Sequence, residues 1–309
     1  MCCLYGLVDP QNCLSTKQKN LILSALAVAA EARGTDATGI AYHSGGRLRI
    51  YKRPFPAHLM RFHVPDDAKV IMGHTRMQTH GNALRNQNNH PFLGNAGGTP
   101  FALAHNGVLY NHNTLRRTQA LPPTKIETDS YVAVQLLQQK KTLDFSSLRF
   151  LAESVEGSFV FTVLDNRNHL YIVRGDNPFC LYHFPAINVY VYASTEEILK
   201  KALSKTHLRK LRHNQIQNAC GDILRIDACG NITKEEFDDS KLFSFWSDPF
   251  WRPFSLHRLQ IPSVAEQDYL KEIKSVAMAF GYAPEDIDEL AGKGFSPEEL
   301  EEFLYCGEL

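Results

Sequence analysis

The sequence predicts an α+β protein in which helices are layered on antiparallel sheets, with a small helical unit at its C-terminal end. Three observations carry this. Short, mostly alternating apolar runs dominate the first part of the chain, a period that suits half-buried strands. Helical stretches fall between groups of these runs rather than after each one. Past Pro262 the charge balance changes: residues 263–309 hold 3 Lys and Arg against 12 Asp and Glu, a net −9 that the first 262 residues offset.

In chain order, the strand-like runs are CLYGLV (3–8), TGIAYHS (38–44), RLRIYKR (47–53), KVIMGHTR (69–76), FALAHNG (101–107), SFVFTVLD (158–165), HLYIVRG (169–175), NVYVYAS (188–194) and DILRID (222–227). Helical patterns cover about 17–32, 128–140, 145–153 and 196–205. DNRNH (165–169) reads as a hairpin turn, which argues against a doubly wound parallel sheet, where crossovers are long. The predicted domains are residues 1–245, an aromatic and Pro-rich linker at 246–262, and an acidic three-helix extension at 263–309. In the extension, Ser263 and Glu266 form a candidate capping box. Tyr269, Leu270, Ile273, Val276, Ala277 and Phe280 follow at helical spacing, and further helices start near Pro284 and Pro297.

Composition narrows the function classes. At 309 residues with 44% hydrophobic content the chain can bury a real core. LILSALAVAA (21–30), preceded by Lys17 and Lys19, imitates a secretory hydrophobic region, but an amphipathic helix starting near Thr16 explains the same residues. No apolar run reaches the roughly 20 residues of a membrane span. Seven cysteines without a CxxC pair support neither a disulfide framework nor a structural zinc site, so a reducing cytoplasm is expected, with no cofactor and no metal. His74 and His80 are six apart, which is no HExxH spacing, and most histidines are expected to be hydrogen-bonded or on the surface. Leu199 to His213 is basic and could track phosphate. A solvated helix face is the commoner meaning of such a run, and nucleic acid binding is not expected.

The chemistry starts at MCCLYG. If Met1 is removed, Cys2 combines a thiol and an α-amine that both titrate near neutrality, at about 8.5 and 7.7 to 8.0, so one residue can be nucleophile and base. In ALAHNG (102–107) the Asn106 amide and the Gly107 N–H could serve one oxygen as an oxyanion hole, although Asn-Gly also spells a hairpin turn. Arg76, in GHTRMQTHG (73–81), suits a carboxylate. Asp129, in ETDS (127–130), suits an ammonium. Together they describe an amino-acid substrate held by both backbone charges.

The ordered set MC, RGTDATG (33–39), GHTRMQTHG, NHPF (89–92), AHNGVLYNHNTLR (104–116), ETDSY and GSFVFTVLD (157–165) resembles the class II glutamine amidotransferases, which belong to the N-terminal-nucleophile hydrolases. The resemblance runs from Cys2 to near Asp227. It implies a four-layer αββα sandwich of two antiparallel sheets and hydrolysis of L-glutamine to glutamate and ammonia. It also implies roles: Cys2 as nucleophile, Asn106 and Gly107 as oxyanion donors, Arg76 for the α-carboxylate, Asp129 for the α-ammonium, and Thr79, His80 and Gly81 lining the pocket. Cys3 departs from the glycine usual in the family, and Met77 from the aromatic residue often found after the arginine.

Some 70 residues follow Asp239, fewer than a typical synthetase domain of about 100 to 150. The first expectation is therefore a stand-alone glutaminase supplying ammonia to a separate synthetase protein, the acidic helices serving for docking or as a lid. A γ-glutamyl amide hydrolase is the second, and a non-catalytic regulatory or binding module the third. The oligomeric state is left open.

Overall fold

The computed structural model describes residues 2–242, 264–279, 282–292, 300–301 and 304. The chain divides into two compact units, Met1–Asp248 and Pro249–Leu309.

All nine strand-like runs are strands. In order, the first unit holds β1 (Cys3–Val8), α1 (Thr16–Ala30), β2 (Ala37–Ser44), β3 (Arg47–Arg53), β4 (Val70–Arg76), β5 (Phe92–Ala96) and β6 (Thr99–Leu109). It continues with α2 (His112–Thr118), α3 (Tyr131–Lys140), α4 (Phe145–Ser154), β7 (Gly157–Asp165), β8 (Leu170–Arg174), β9 (Cys180–Phe184) and β10 (Val189–Ala193). It ends with α5 (Glu196–Leu203), β11 (Asn214–Gln215), β12 (Asp222–Ile226) and β13 (Ile232–Glu236).

Five of these elements were not foreseen. Strand β5 carries Gly94 and Asn95 and lies at a sheet edge, β9 has five residues between two prolines, and β11 has two. Strand β13 is mostly exposed and polar, and α2 buries only Leu115. None has enough apolar periodicity to stand out.

The strands form a seven-stranded sheet, β11-β9-β10-β1-β4-β2-β3, and a six-stranded one, β13-β12-β8-β7-β6-β5. Every pairing between neighbours is antiparallel. Three cores separate four layers. Residues of α1 and α5 pack on Cys3, Tyr5, Leu7 and Val191 of the first sheet, and residues of α3 and α4 on Leu103, Phe159, Phe161 and Val173 of the second. Leu4, Val8, Met72, Ala102, Ala104 and Val160 fill the space between the sheets. This is the expected αββα sandwich, and strand alternation generates it, because successive side chains leave a strand on opposite faces.

Helix α1 resolves the ambiguous LILSALAVAA. Ser15 and Gln18 form a capping box, and Ile22, Leu23, Leu26, Ala27, Ala29 and Ala30 are buried. None of the helices among the described residues is long and apolar enough to cross a membrane.

Close packing around β1 depends on glycine. A Cβ at Gly73, which pairs with Tyr5, would lie 2.2 Å from the Tyr5 ring. That ring is fully buried and has nowhere to go. Gly73→Ala is expected to cost about 1 to 3 kcal/mol, with a fall in Tm of roughly 2 to 4 °C per kcal/mol. An unchanged thermal midpoint would refute this packing.

In the second unit, α6 (Val264–Ala279) and α7 (Pro284–Gly292) bury Ile273, Ala277 and Ile287 together with Leu300 and Leu304. Both helices match the spacing read from the sequence. The linker at 246–262, Ser263 of the candidate capping box and the start of the third helix near Pro297 lie outside the described residues.

Candidate active site

The site lies where β6 outruns its edge neighbour. Strand β5 pairs only with Thr99–Leu103, whereas β7 pairs as far as Leu109, so the far edge of β6 is open to the turn that leads into α3. There Asp129 accepts the Leu109 N–H at 2.7 Å and the Ser130 hydroxyl at 3.2 Å. Asn106 and Gly107 lie inside β6, so this Asn-Gly pair is no hairpin turn.

Cys2 stands at the head of β1, the central strand of its sheet. Alternation sends Cys3 into the core under α1 and leaves Cys2 on the face that looks toward the other sheet, shared with Leu4 and Val8. The Cys2 thiol donates to the Met77 carbonyl at 3.5 Å, and Arg33 donates to the Cys2 carbonyl at 3.0 Å. Cys3, standing where the resemblance expects glycine, is fully buried away from that face. On β4 the same parity places His74 and Arg76 inward with Val70 and Met72.

One small cavity is lined by Cys2, Arg76, Thr79, His80, Gly107 and Asp129, together with Met77, His90, His105, Thr128 and Ser130. Gly81 joins it through Arg76, whose guanidinium donates to the His80 carbonyl, to the Gly81 carbonyl at 2.7 Å and to Asn89 Oδ1 at 2.7 Å. The fork thus fastens the 77–81 loop to the end of β4. Asn106 is 1% exposed, and neither its Oδ1 nor its Nδ2 has a hydrogen-bond partner among the described residues. Its side chain leaves β6 on the face of Ala102 and Ala104, toward the sheet that carries Cys2.

Electrostatics follow from burial. Desolvation raises the Cys2 thiol above its ordinary value and outweighs several smaller pulls the other way, Arg76 among them, so the sulfur is a neutral thiol at neutral pH. His74, His90 and His105 are all buried and all shifted downward, His74 to about 3, chiefly by desolvation. They are neutral at neutral pH. Lys52 on β3 donates to the Asn89 and Pro91 carbonyls and is lowered to about 8 by burial and then by Arg76. Arg76, Asn89 and Lys52 make one hydrogen-bonded run beneath the loop.

Sequence reasoning did not bring these histidines together. His90 is an exception to the expectation that most histidines are bonded or exposed: it is 3% exposed, its two ring nitrogens have no partner among the described residues, and its ring lies 4.2 Å from that of His74. The NHPF motif was its only signal. His105, bonded to Ser130 at 2.8 Å, sits next to Asn106 and could have been named with it. The described residues contain no cluster of metal-ligating groups.

Comparison with known proteins bears on the family and the fold. Residues 61–221 match the glutamine amidotransferase domain family, a segment that contains Arg76, Thr79, His80, Gly81, Asn106, Gly107 and Asp129. The chain is 30% identical over 186 residues to a glutamine–fructose-6-phosphate aminotransferase (isomerizing) of Bacillus thuringiensis, covering 58% of this chain and 30% of that protein. To the protein of the same name from Staphylococcus aureus it is 26% identical over 246 residues, covering 76% and 39%. It thus spans about a third of the length of these curated relatives. Among solved structures, glutamine phosphoribosylpyrophosphate amidotransferase from B. subtilis, complexed with ADP and GMP, superposes with a TM-score of 0.58 at 18% identity, covering 76% of this chain and 49% of that one. A second, titled as the allosteric regulatory enzyme of purine biosynthesis, gives 0.60 at the same identity and coverage. These two speak for the fold, and the family match covers more than half of the sequence: the chain belongs to the glutamine amidotransferase domain family.

Proposed function

We propose that the first unit hydrolyses the side-chain amide of L-glutamine to glutamate and ammonia through a thioester on Cys2. The reading is supported above all by the convergence of Cys2, Arg76, Gly107 and Asp129, from four separate stretches of chain, on one cavity. The charged pair suits the two backbone charges of an amino acid: Arg76 for the α-carboxylate, Asp129 for the α-ammonium. Thr79, His80 and Gly81 enclose the side chain.

The half-buried thiol is neutral, so it becomes a nucleophile only as its proton leaves. Once Met1 is removed, the Cys2 α-amine takes that proton, directly or through a water. The sulfur attacks the amide carbon, and the Gly107 N–H and the Asn106 amide hold the resulting oxyanion. The C–N bond breaks as the ammonium returns its proton to the leaving nitrogen, and ammonia departs. Water then attacks the thioester and gives a proton to the amine. The C–S bond breaks, the thiol is restored and glutamate is released.

The curated relatives are longer and their names pair glutamine with a second substrate. By analogy, the ammonia formed here goes on to a second substrate held at a synthetase site. A reducing cytoplasm suits a free nucleophilic thiol.

Intact mass combined with glutamate release, with 6-diazo-5-oxo-norleucine as a trapping electrophile, tests this reading. Loss of Met1, glutamate formation and a single adduct on Cys2 are expected. A processed protein that neither turns over glutamine nor takes the label would overturn it.

A further inference from the structure

The peptide that joins Asn106 to Gly107 has an anchor on the side away from the cavity. Even-numbered backbone groups of β6 face β7, as when the Val108 N–H meets the Ser158 hydroxyl at 3.4 Å. Odd-numbered ones face the open edge, as when the Leu109 N–H meets Asp129. By that parity the Asn106 carbonyl points toward β7 and the Gly107 N–H toward the cavity. A trans peptide holds its C=O and N–H in opposite directions in one plane, so whatever grips the carbonyl aims the N–H.

That grip is Asn177, whose Nδ2 donates to the Asn106 carbonyl at 3.1 Å. Asn177 belongs to the turn that leaves β8, and its neighbour Asp176 accepts the Phe159 N–H on β7 at 3.0 Å. The two side chains therefore tie the turn to both strands at the level of Gly107. The anchor is needed because Gly107 has φ +141°, roughly 80° away from the strand value, in a region that glycine alone enters freely. Backbone preference does not fix such a plane. A side chain at position 107 could not fix it either, since a Cβ there would lie 1.9 Å from the Ser158 carbonyl oxygen. Donation to the carbonyl also polarises the peptide and makes the N–H on its far side a better donor.

We infer that Asn177 is a positioning residue for amide hydrolysis, holding the Asn106–Gly107 peptide so that the Gly107 N–H is aimed at the oxygen that becomes negative. This rests on the glutaminase reading above and adds to it a residue that never touches substrate. Because an oxyanion donor acts on the transition state, loss of the anchor affects kcat and spares ground-state binding.

The test compares the wild type with Asn177→Leu and Asn177→Asp, two near-isosteric changes that each remove the donor. The readouts are kcat and KM for glutamine, inhibition by glutamate γ-semialdehyde, and the thermal midpoint. The aldehyde adds to the thiol and places an oxygen in the hole, whereas glutamate reports ordinary binding. In both variants kcat is expected to fall about tenfold with KM within twofold, and aldehyde affinity to fall about as far as kcat while glutamate inhibition holds. Unchanged kcat and aldehyde affinity in a folded variant would overturn the inference and leave the glutaminase intact. Parallel losses of aldehyde and glutamate affinity would assign Asn177 a general structural role and also overturn it. If one substitution prevents folding, the other decides. A wild type that releases no glutamate would overturn both readings, and is distinguished by being measured first.

Discussion

Cys2→Ala is expected to reduce glutamate release by at least about 10⁴-fold, to the background of the assay, and to abolish labelling by the diazo electrophile. The size follows from removing a covalent nucleophile for which the cavity holds no substitute, where losses of about 10⁴ to 10⁶ are usual. His90 and His105 line the same space, but burial keeps both neutral and neither ring replaces a sulfur. Cys3→Ala is the control. Its sulfur donates to the Leu4 carbonyl at 3.2 Å and packs under α1, on the opposite face of β1, so the variant should keep activity within about threefold and lose on the order of 1 kcal/mol of stability. Retained turnover in Cys2→Ala, or its loss in a folded Cys3→Ala, would remove Cys2 from the mechanism. The same logic fixes a pH dependence. The α-amine must be unprotonated to accept the thiol proton, so kcat/KM should rise with pH through the titration of that amine. An N-terminus blocked by retained methionine should be inactive.

How much of this was legible beforehand depends on whether the information was local. Strands such as CLYGLV and SFVFTVLD declare themselves because alternation is a property of consecutive residues, and so does the capped helix at Ser15. Cys2 could be told from Cys3 only by its terminal amine. The structure adds an independent reason, the opposite faces on which strand parity puts them. Asn106-Gly107 was ambiguous between a turn and a donor pair, and only the pairing of β6 with β7 through Leu109 decides for a strand. Nothing local marks Asn177, which in sequence is a polar residue before Pro178 and reads as an ordinary turn. Its hydrogen bond to Asn106 spans 71 positions and exists only because β6, β7 and β8 are neighbours. Likewise His74 and His90 are separate histidines in the sequence, and only the fold brings their rings within 4.2 Å of each other and bonds His74 to the His105 carbonyl.

Asn106 carries the second large effect, and here stability and activity should move in opposite directions. Its amide is buried with both polar atoms unpartnered among the described residues, a state that costs the folded protein on the order of 1 to 3 kcal/mol per unsatisfied group. A fold selected only for stability would put an apolar residue there, as it does at Ala102 and Ala104 on the same face of the strand. Such cost is understandable if the amide waits for a charge that appears only during the reaction. Asn106→Ala is then expected to lower kcat by about 10² to 10³, the loss typical of one oxyanion donor, with a smaller change in KM. Removing the amide leaves a gap but also removes an unsatisfied dipole, so the thermal midpoint should hold or rise. Kinetics at saturating glutamine and a thermal melt on the same preparation measure both. A variant that is less stable and fully active would mean that the amide serves the fold, and that the oxyanion is held by backbone alone.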